Sequence, residues 1–255
     1  MGTAVFHFHA MLSDFLPEER QEKAFTLEFS GHETVKHLIE STGVPHTEVD
    51  LILVDGEPVG FDHRMVAGEQ IEVYPPGIVG VNQSSSHLIP DLPEEIRFVL
   101  DGHLGKLATY MRLLGFDTLY QNDWEDATLA EISSQNGCIL LTRDRGLLKR
   151  SQVKSGYWVR EKEPKSQVLE VVRRFELAGR ALPFSRCTRC NARLAPVGKE
   201  AVLHLLESKT RLYYDDFQQC QGCGQVYWKG SHFDRMEGFI NGILLKGRTP
   251  LQGKI

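Results

Sequence analysis

"ILLTRDRGLLKR", residues 139–150, is the stretch on which the reading of the fold turns. The apolar run Ile139-Leu140-Leu141, bounded by Gly137 and by polar residues, is the pattern of a buried strand. It delivers Asp144 at its end, between Arg143 and Arg145, and a helical pattern follows. Residues 96–115, "IRFVLDGHLGKLATYMRLLG", repeat the order: an apolar strand at 96–100, then Asp101, then Gly102 and a helix. Between the two lie a strand, "FDTLY", and a helical stretch, "EDATLAEISSQNG". After them come the strand "GYWVR" and the helical "KSQVLEVVRRFELAG". Strands alternating with helices from 95 to about 180 predict a parallel sheet covered by helices, an α/β domain. In such sheets ligands bind outside the carboxyl ends of the strands.

Asp101 and Asp144 are therefore expected at one carboxyl edge, and "DWEDATLAE" offers Asp123, Glu125 and Asp126 between them. Asp126 is preferred, because Asp123 and Trp124 read as loop and N-cap residues. Carboxylates that converge repel one another unless a cation sits among them, and hard oxygen donors suit magnesium or manganese. Such an ion polarises phosphoryl oxygens and activates water. Lys106, Arg112, Arg143, Arg145, Lys149 and Arg150 lie close by in sequence and are suited to backbone phosphates. The competing reading is local: aspartate is a favoured N-cap, each acid precedes a helix, and the arginines then serve as solvated partners.

Outside this region the chain divides by pattern and by charge. Residues 3–75 alternate apolar and polar positions in "AVFHFHA", "AFTLEFS", "VDLILVDG" and "QIEVYPP". One helix, "ETVKHLIESTG", carries Glu33 in its first turn, and "DGEP" marks a turn. This predicts a small α+β unit over 1–76. Residues 77–94 have linker composition, 95–182 form the α/β domain, and 183–255 hold the cysteine pairs and a short amphipathic tail helix. The net charge of −5 hides an asymmetry: residues 1–82 carry 14 acidic and 4 basic residues, whereas 181–255 carry 6 and 11. The basic end favours nucleic acid and the acidic end a protein partner. No run of about 18 apolar residues predicts a membrane span. "MGTAVFHFHAMLSDF" lacks a basic n-region and an apolar core, so a cytoplasmic protein is expected.

Four of the five cysteines form two Cys-x-x-Cys pairs, "CTRC" (Cys187, Cys190) and "CQGC" (Cys220, Cys223). Two such knuckles complete a closed tetrahedral zinc site, which is structural because all four positions are filled. Strands at "LAPV" and "RLYYD" are expected to make a ribbon around it. Arg186, Arg189, Arg193, Lys199, Lys209, Arg211 and Lys229 are interleaved there with Tyr213, Tyr214, Phe217, Tyr227 and Trp228. Cations with stacking faces suit single-stranded nucleic acid, although the aromatics equally suit a small core. Cys138 reads as a core residue, and His103 and His232 as solvated surface histidines.

"FVLDGHLGKLATYMRLLGFDTLY", "ILLTRDRGLL" and the cysteine pairs followed by "YWKGSHFDRM" resemble the PIN-like ribonuclease domain with an attached zinc ribbon. That module also stands at the C-terminus of certain exonucleases of RNA silencing. Residues 3–75 resemble the ubiquitin-like β-grasp domains that precede it in some prokaryotic proteins, and also small sulfur carriers. The latter end in a free Gly-Gly, whereas "YPPGIVG" runs on here. The resemblance implies a three-layer α/β/α nuclease domain in which Asp101, Asp126 and Asp144 hold magnesium or manganese. A fourth acid, Glu161 or Glu163, is offered by "GYWVREKEP". It further implies zinc at the cysteines, RNA as the partner, Arg186 and Arg189 among the RNA contacts, and a homodimer. The expected activity is metal-dependent hydrolysis of RNA phosphodiesters. The alternatives are a non-catalytic RNA-binding adaptor and a partner-docking protein acting through the β-grasp domain.

Overall fold

Strict alternation at the N-terminus folds as its period demands. In the computed structural model, which describes residues 1–77 and 87–249, β1 (Gly2–Phe8), β2 (Phe25–Phe29), β3 (Leu51–Val54), β4 (Glu57–Pro58) and β5 (Gln70–Tyr74) form one sheet in the order β2-β1-β5-β3-β4. β1 runs antiparallel to β2 and parallel to β5. Phe6 and Phe8 of β1 and Ile71 and Val73 of β5 turn inward, against Val35, Leu38 and Ile39 of α1 (Val35–Ser41). Thr34 caps α1 through the His37 amide. The turn at Asp55-Gly56 needs left-handed backbone at both residues, φ +51° and +87°, the requirement of a two-residue type I′ hairpin. This is a ubiquitin-like β-grasp domain.

Glu33 lies before the Thr34 cap and not in the first turn of α1. Its carboxylate accepts from the Ser30 hydroxyl and from the amides of Ser30, Gly31 and His32. These bonds, the Ser30 side chain first, hold its pKa down at about 2. The predicted linker 77–94 falls partly outside the described residues, at 78–86. Its far end is fastened to Asp50: the amides of Leu88 and Ile89 donate to the Asp50 carbonyl and carboxylate, and His87 Nδ1 lies 2.7 Å from the carboxylate.

The β–α grammar holds from residue 96 onward. β6 (Arg97–Leu100) leads through a 3-10 turn into α2 (Gly105–Leu113), and β7 (Asp117–Tyr120) pairs parallel with β6. Gly115 joins α2 to β7 at φ +92°, where a Cβ would collide with the Leu182 carbonyl. α3 (Asp126–Asn136) ends at left-handed Gly137 and leads into β8 (Ile139–Thr142), every residue of which is buried. α4 (Arg145–Leu148) and β9 (Gly156–Trp158) follow, with β9 parallel to β8. α5 (Pro164–Arg174) opens with proline in its first turn, where the missing N–H has no helical partner to lose.

The last segment departs from the sequence expectation at one element. β10 (Leu194–Val197), β11 (Phe217–Cys220) and β12 (Val226–Trp228) form a three-stranded antiparallel sheet. Between β10 and β11, after α6 (Lys199–Val202), "RLYYD" is not a strand but lies across α7 (Ser208–Tyr213) and its end. Tyr214 packs on a small core of Val202, Leu206, Phe217 and Val226. The tail forms α8 (Phe233–Gly247), a 15-residue helix longer than expected, with Ile240 and Ile243 buried.

The chain comprises two compact units. One joins residues 1–94 to 125–158, and the other joins 95–124 to 159–249. Within the second, Phe98 of β6 meets the rings of Phe116 and Phe175 edge-on. Among the described residues no helix is long and apolar enough to cross a membrane.

Candidate active site and metal centre

Both strand-end aspartates cap helices. Asp101 follows β6, and its Oδ1 accepts from the His103 amide at 3.2 Å and lies 3.2 Å from His103 Nδ1. Asp144 follows β8 and accepts the Gly146 amide at 2.7 Å, again through Oδ1, with its own amide tied to Thr142 Oγ1. Asp144 is exposed. Asp126 is the first residue of α3, and Glu125, not Trp124, is the N-cap. The Asp126 side chain is 48% exposed and lies 3.7 Å from Arg150. Of the proposed fourth acids, Glu163 stands at the N-cap of α5, where its carbonyl accepts the Ser166 and Gln167 amides and its side chain makes no capping bond. The buried acid there is Glu170, which takes the amides of Arg160 and Glu161 at 2.9 and 3.0 Å. Sequence reading passed over it because it sits mid-helix.

The cations assigned to phosphate divide by burial. Lys106 and Arg189 are exposed and Arg143 is half-buried. Arg145 donates to the carbonyls of Asp14 and Phe15 and stacks on Trp158, 4.0 Å from the ring centroid. Lys149 donates to the Glu40 carbonyl at 2.7 Å. Arg112 is 6% exposed, and its guanidinium donates to the carbonyls of Thr118, Thr188 and Arg189. Arg186 donates to the carbonyls of Gly115 and Asn191 and pairs with Asp117 at 3.4 Å. Arg112, Arg145, Lys149 and Arg186 thus each satisfy backbone carbonyls, a structural role that the sequence did not announce.

The four cysteines converge. Their sulfurs all lie within 4.8 Å of one another, with Cys190–Cys220 at 3.3 Å and Cys187–Cys223 at 3.7 Å. A tetrahedral zinc ion with ordinary Zn–S bonds sets sulfurs about 3.8 Å apart, so the cluster fits zinc closely. The amides of Gly222 and Cys223 point at Cys220 Sγ, both at 3.4 Å. Burial pushes the Cys187 thiol up, but the Tyr227 hydroxyl at 3.1 Å and the amides of Cys190 and Arg189 prevail and bring it down to about 6. Burial and that same bond raise Tyr227 to about 12, so the hydroxyl donates to a thiolate. Asn191, at φ +73°, closes the first knuckle and bridges to β7, accepting the Thr118 amide and donating to Asp117.

Residues 96–240, more than half of the chain, match the family model described as Mut7-C RNAse domain, and residues 1–77 match that of Mut7-C ubiquitin. The chain belongs to the Mut7-C RNAse domain family. Asp101, Asp126, Asp144 and all four cysteines fall inside the Mut7-C RNAse match. A ribonuclease-type function attaches to that family, and the N-terminal domain is the Mut7-C ubiquitin module. Two solved structures are similar. SAMP1 from Haloferax volcanii has 17% identity over 31% of this chain and 99% of its own, with a TM-score of 0.24. A second structure of H. volcanii small archaeal modifier protein 1 has 14% identity over 30% of this chain and 99% of its own, with a TM-score of 0.25. No curated protein matches the chain.

Proposed function

We propose that this Mut7-C RNAse protein is a PIN-like, metal-dependent ribonuclease whose cysteine knuckles form a zinc ribbon that binds RNA. The observation that carries the reading is the family match over 96–240. Asp101, Asp126 and Asp144 offer carboxylate oxygens, the donor type that magnesium and manganese take. When bound, such an ion polarises the phosphoryl oxygen and lowers the pKa of a water. The protein's own part is to orient and to grip. The Gly146 amide fixes the Asp144 carboxylate through Oδ1, and Lys106 and Arg189, both exposed, would take the phosphates. A cavity of about 680 Å³ beside the knuckles is lined by Phe184, Phe217, Tyr227, Trp228 and Phe233 together with Lys229. Stacking faces beside a cation suit an unpaired base.

The adaptor reading draws on one observation: Asp101 and Asp144 both cap helices, which gives each a role without catalysis. One experiment separates the two. End-labelled RNA is incubated with purified protein in EDTA, magnesium or manganese, beside Asp144→Asn. Asparagine caps a helix as well as aspartate does, so the variant keeps its fold and loses only charge. Metal-dependent cleavage that falls on the order of 100-fold in the variant, with RNA still bound, supports the enzyme. Binding with no cleavage by the parent protein supports the adaptor.

A further inference from the structure

We infer that the outer face of the β-grasp sheet carries a second metal site, formed by His7, His9 and Glu72, for a borderline divalent cation such as Zn²⁺. The strand period makes the cluster. Phe6, Phe8, Ile71 and Val73 face the core, so His7, His9, Glu72 and Tyr74 emerge together on the other face. Parallel pairing of β1 with β5 sets His7 directly beside Glu72. One donor atom from each of the three residues lies within 4.8 Å of the others.

The local bonding is that of prepared ligands. His9 Nε2 is buried without a hydrogen-bond partner and lies 3.9 Å from Glu72 Oε1. An ordinary surface histidine–glutamate pair would close that gap or turn the nitrogen to water. The His7 and His9 rings stand 4.1 Å apart, tilted by 47°. Tyr74 orients two ligands at once: its hydroxyl donates to Glu72 Oε2 at 2.8 Å, and its ring lies flat on His9 at 4.1 Å and 3°. Partners of this kind behind metal ligands fix their direction and sharpen affinity. Two imidazoles and a carboxylate suit zinc and its neighbours, in contrast to the thiolate site, and leave one tetrahedral position for water or an added ligand. Donors around zinc stand about 3.3 Å apart, a closure that small rotations of the half-buried side chains supply.

The test is calorimetric titration of Zn²⁺ into the full chain with its cysteine site already filled. One further equivalent is expected, absent in His7→Gln and in Glu72→Gln, both with the parent's melting temperature and cysteine-bound zinc. Should His7→Gln fail to fold, Glu72→Gln decides alone. Cobalt in place of added zinc should give visible bands of nitrogen and oxygen ligation without thiolate charge transfer. A parent that takes up no further equivalent, or a Glu72→Gln chain that takes up as much as the parent, overturns the site.

Discussion

A buried arginine is tolerated only when its planar fork of donors meets acceptors on every side. Arg112 satisfies that rule through Thr118 on one side and Thr188 and Arg189 on the other, the latter two more than 70 residues away in sequence. Arg112→Met preserves the stem and its packing but strips three carbonyls of their donor. The expected loss is about 3 kcal/mol of stability, read as a lower urea midpoint at unchanged slope. RNA affinity per folded molecule should not change. Lysine at 112 should recover only part of the loss, because an ammonium cannot span both sets of carbonyls. A variant as stable as the parent but weaker for RNA would make Arg112 a phosphate contact. Sequence alone cannot separate these roles. A cation in the last turn of a helix looks the same whether it faces solvent or the carbonyls of a distant knuckle.

At the scale of elements, the segment carrying Asp144 folds with the β-grasp domain. The Glu48 carboxylate, fully buried, accepts the Trp158 amide at 2.6 Å, and His46 Nε2 lies 2.9 Å from the Val153 carbonyl. Arg145 and Lys149 add their bonds to residues 14, 15 and 40, and Phe15 packs on Trp158 with ring centroids 4.9 Å apart. Glu48→Ala removes a charge-assisted bond at the centre of this seam, at an expected cost of about 2 kcal/mol. Amide exchange should rise together over 46–48 and 145–158; unchanged protection at 145–158 would refute the seam. The strands on both sides of it were legible, β1 and β5 by alternation and β8 by its unbroken apolar run. The seam was not, since nothing in "PHTEVD" or "GYWVR" announces the partner. α7 was missed for a different reason. "RLYYD" has the aromatic content of a strand, yet Leu212 and Tyr213 are 72% and 71% exposed, and six residues are too few for periodicity to choose. The choice is made by the Arg211 side chain on the Leu206 carbonyl and by Tyr214 on its small core.

For the molecule as a whole, the question is whether the cysteine centre serves the proposed grip on RNA alone or also holds up the nuclease domain. The cysteines were fully legible from spacing, but their coupling to β7 was not. Arg186, Asn191 and Asp117 form one polar network from the first knuckle to β7, and Arg97 of β6 reaches Asp117 at 3.5 Å. β7 pairs with β6, the strand that ends at Asp101. Four sulfurs this close repel as thiolates without an ion, and binding free energy at such a site is folding free energy. Cys223→Ser should therefore lower the melting temperature and abolish cleavage, and excess magnesium should not restore it. The variant is a cleaner probe than a chelator, which would also strip the histidine site on the β-grasp sheet. With loss of its zinc verified, its RNA affinity, melting curve and cleavage of a short RNA decide the matter together. Loss of RNA affinity alone, with the melting curve and short-substrate cleavage intact, would make the ribbon a grip and nothing more. Loss of all three would mean that the knuckle bears on the strand carrying Asp101, so that zinc supports catalysis through the fold without touching the reaction.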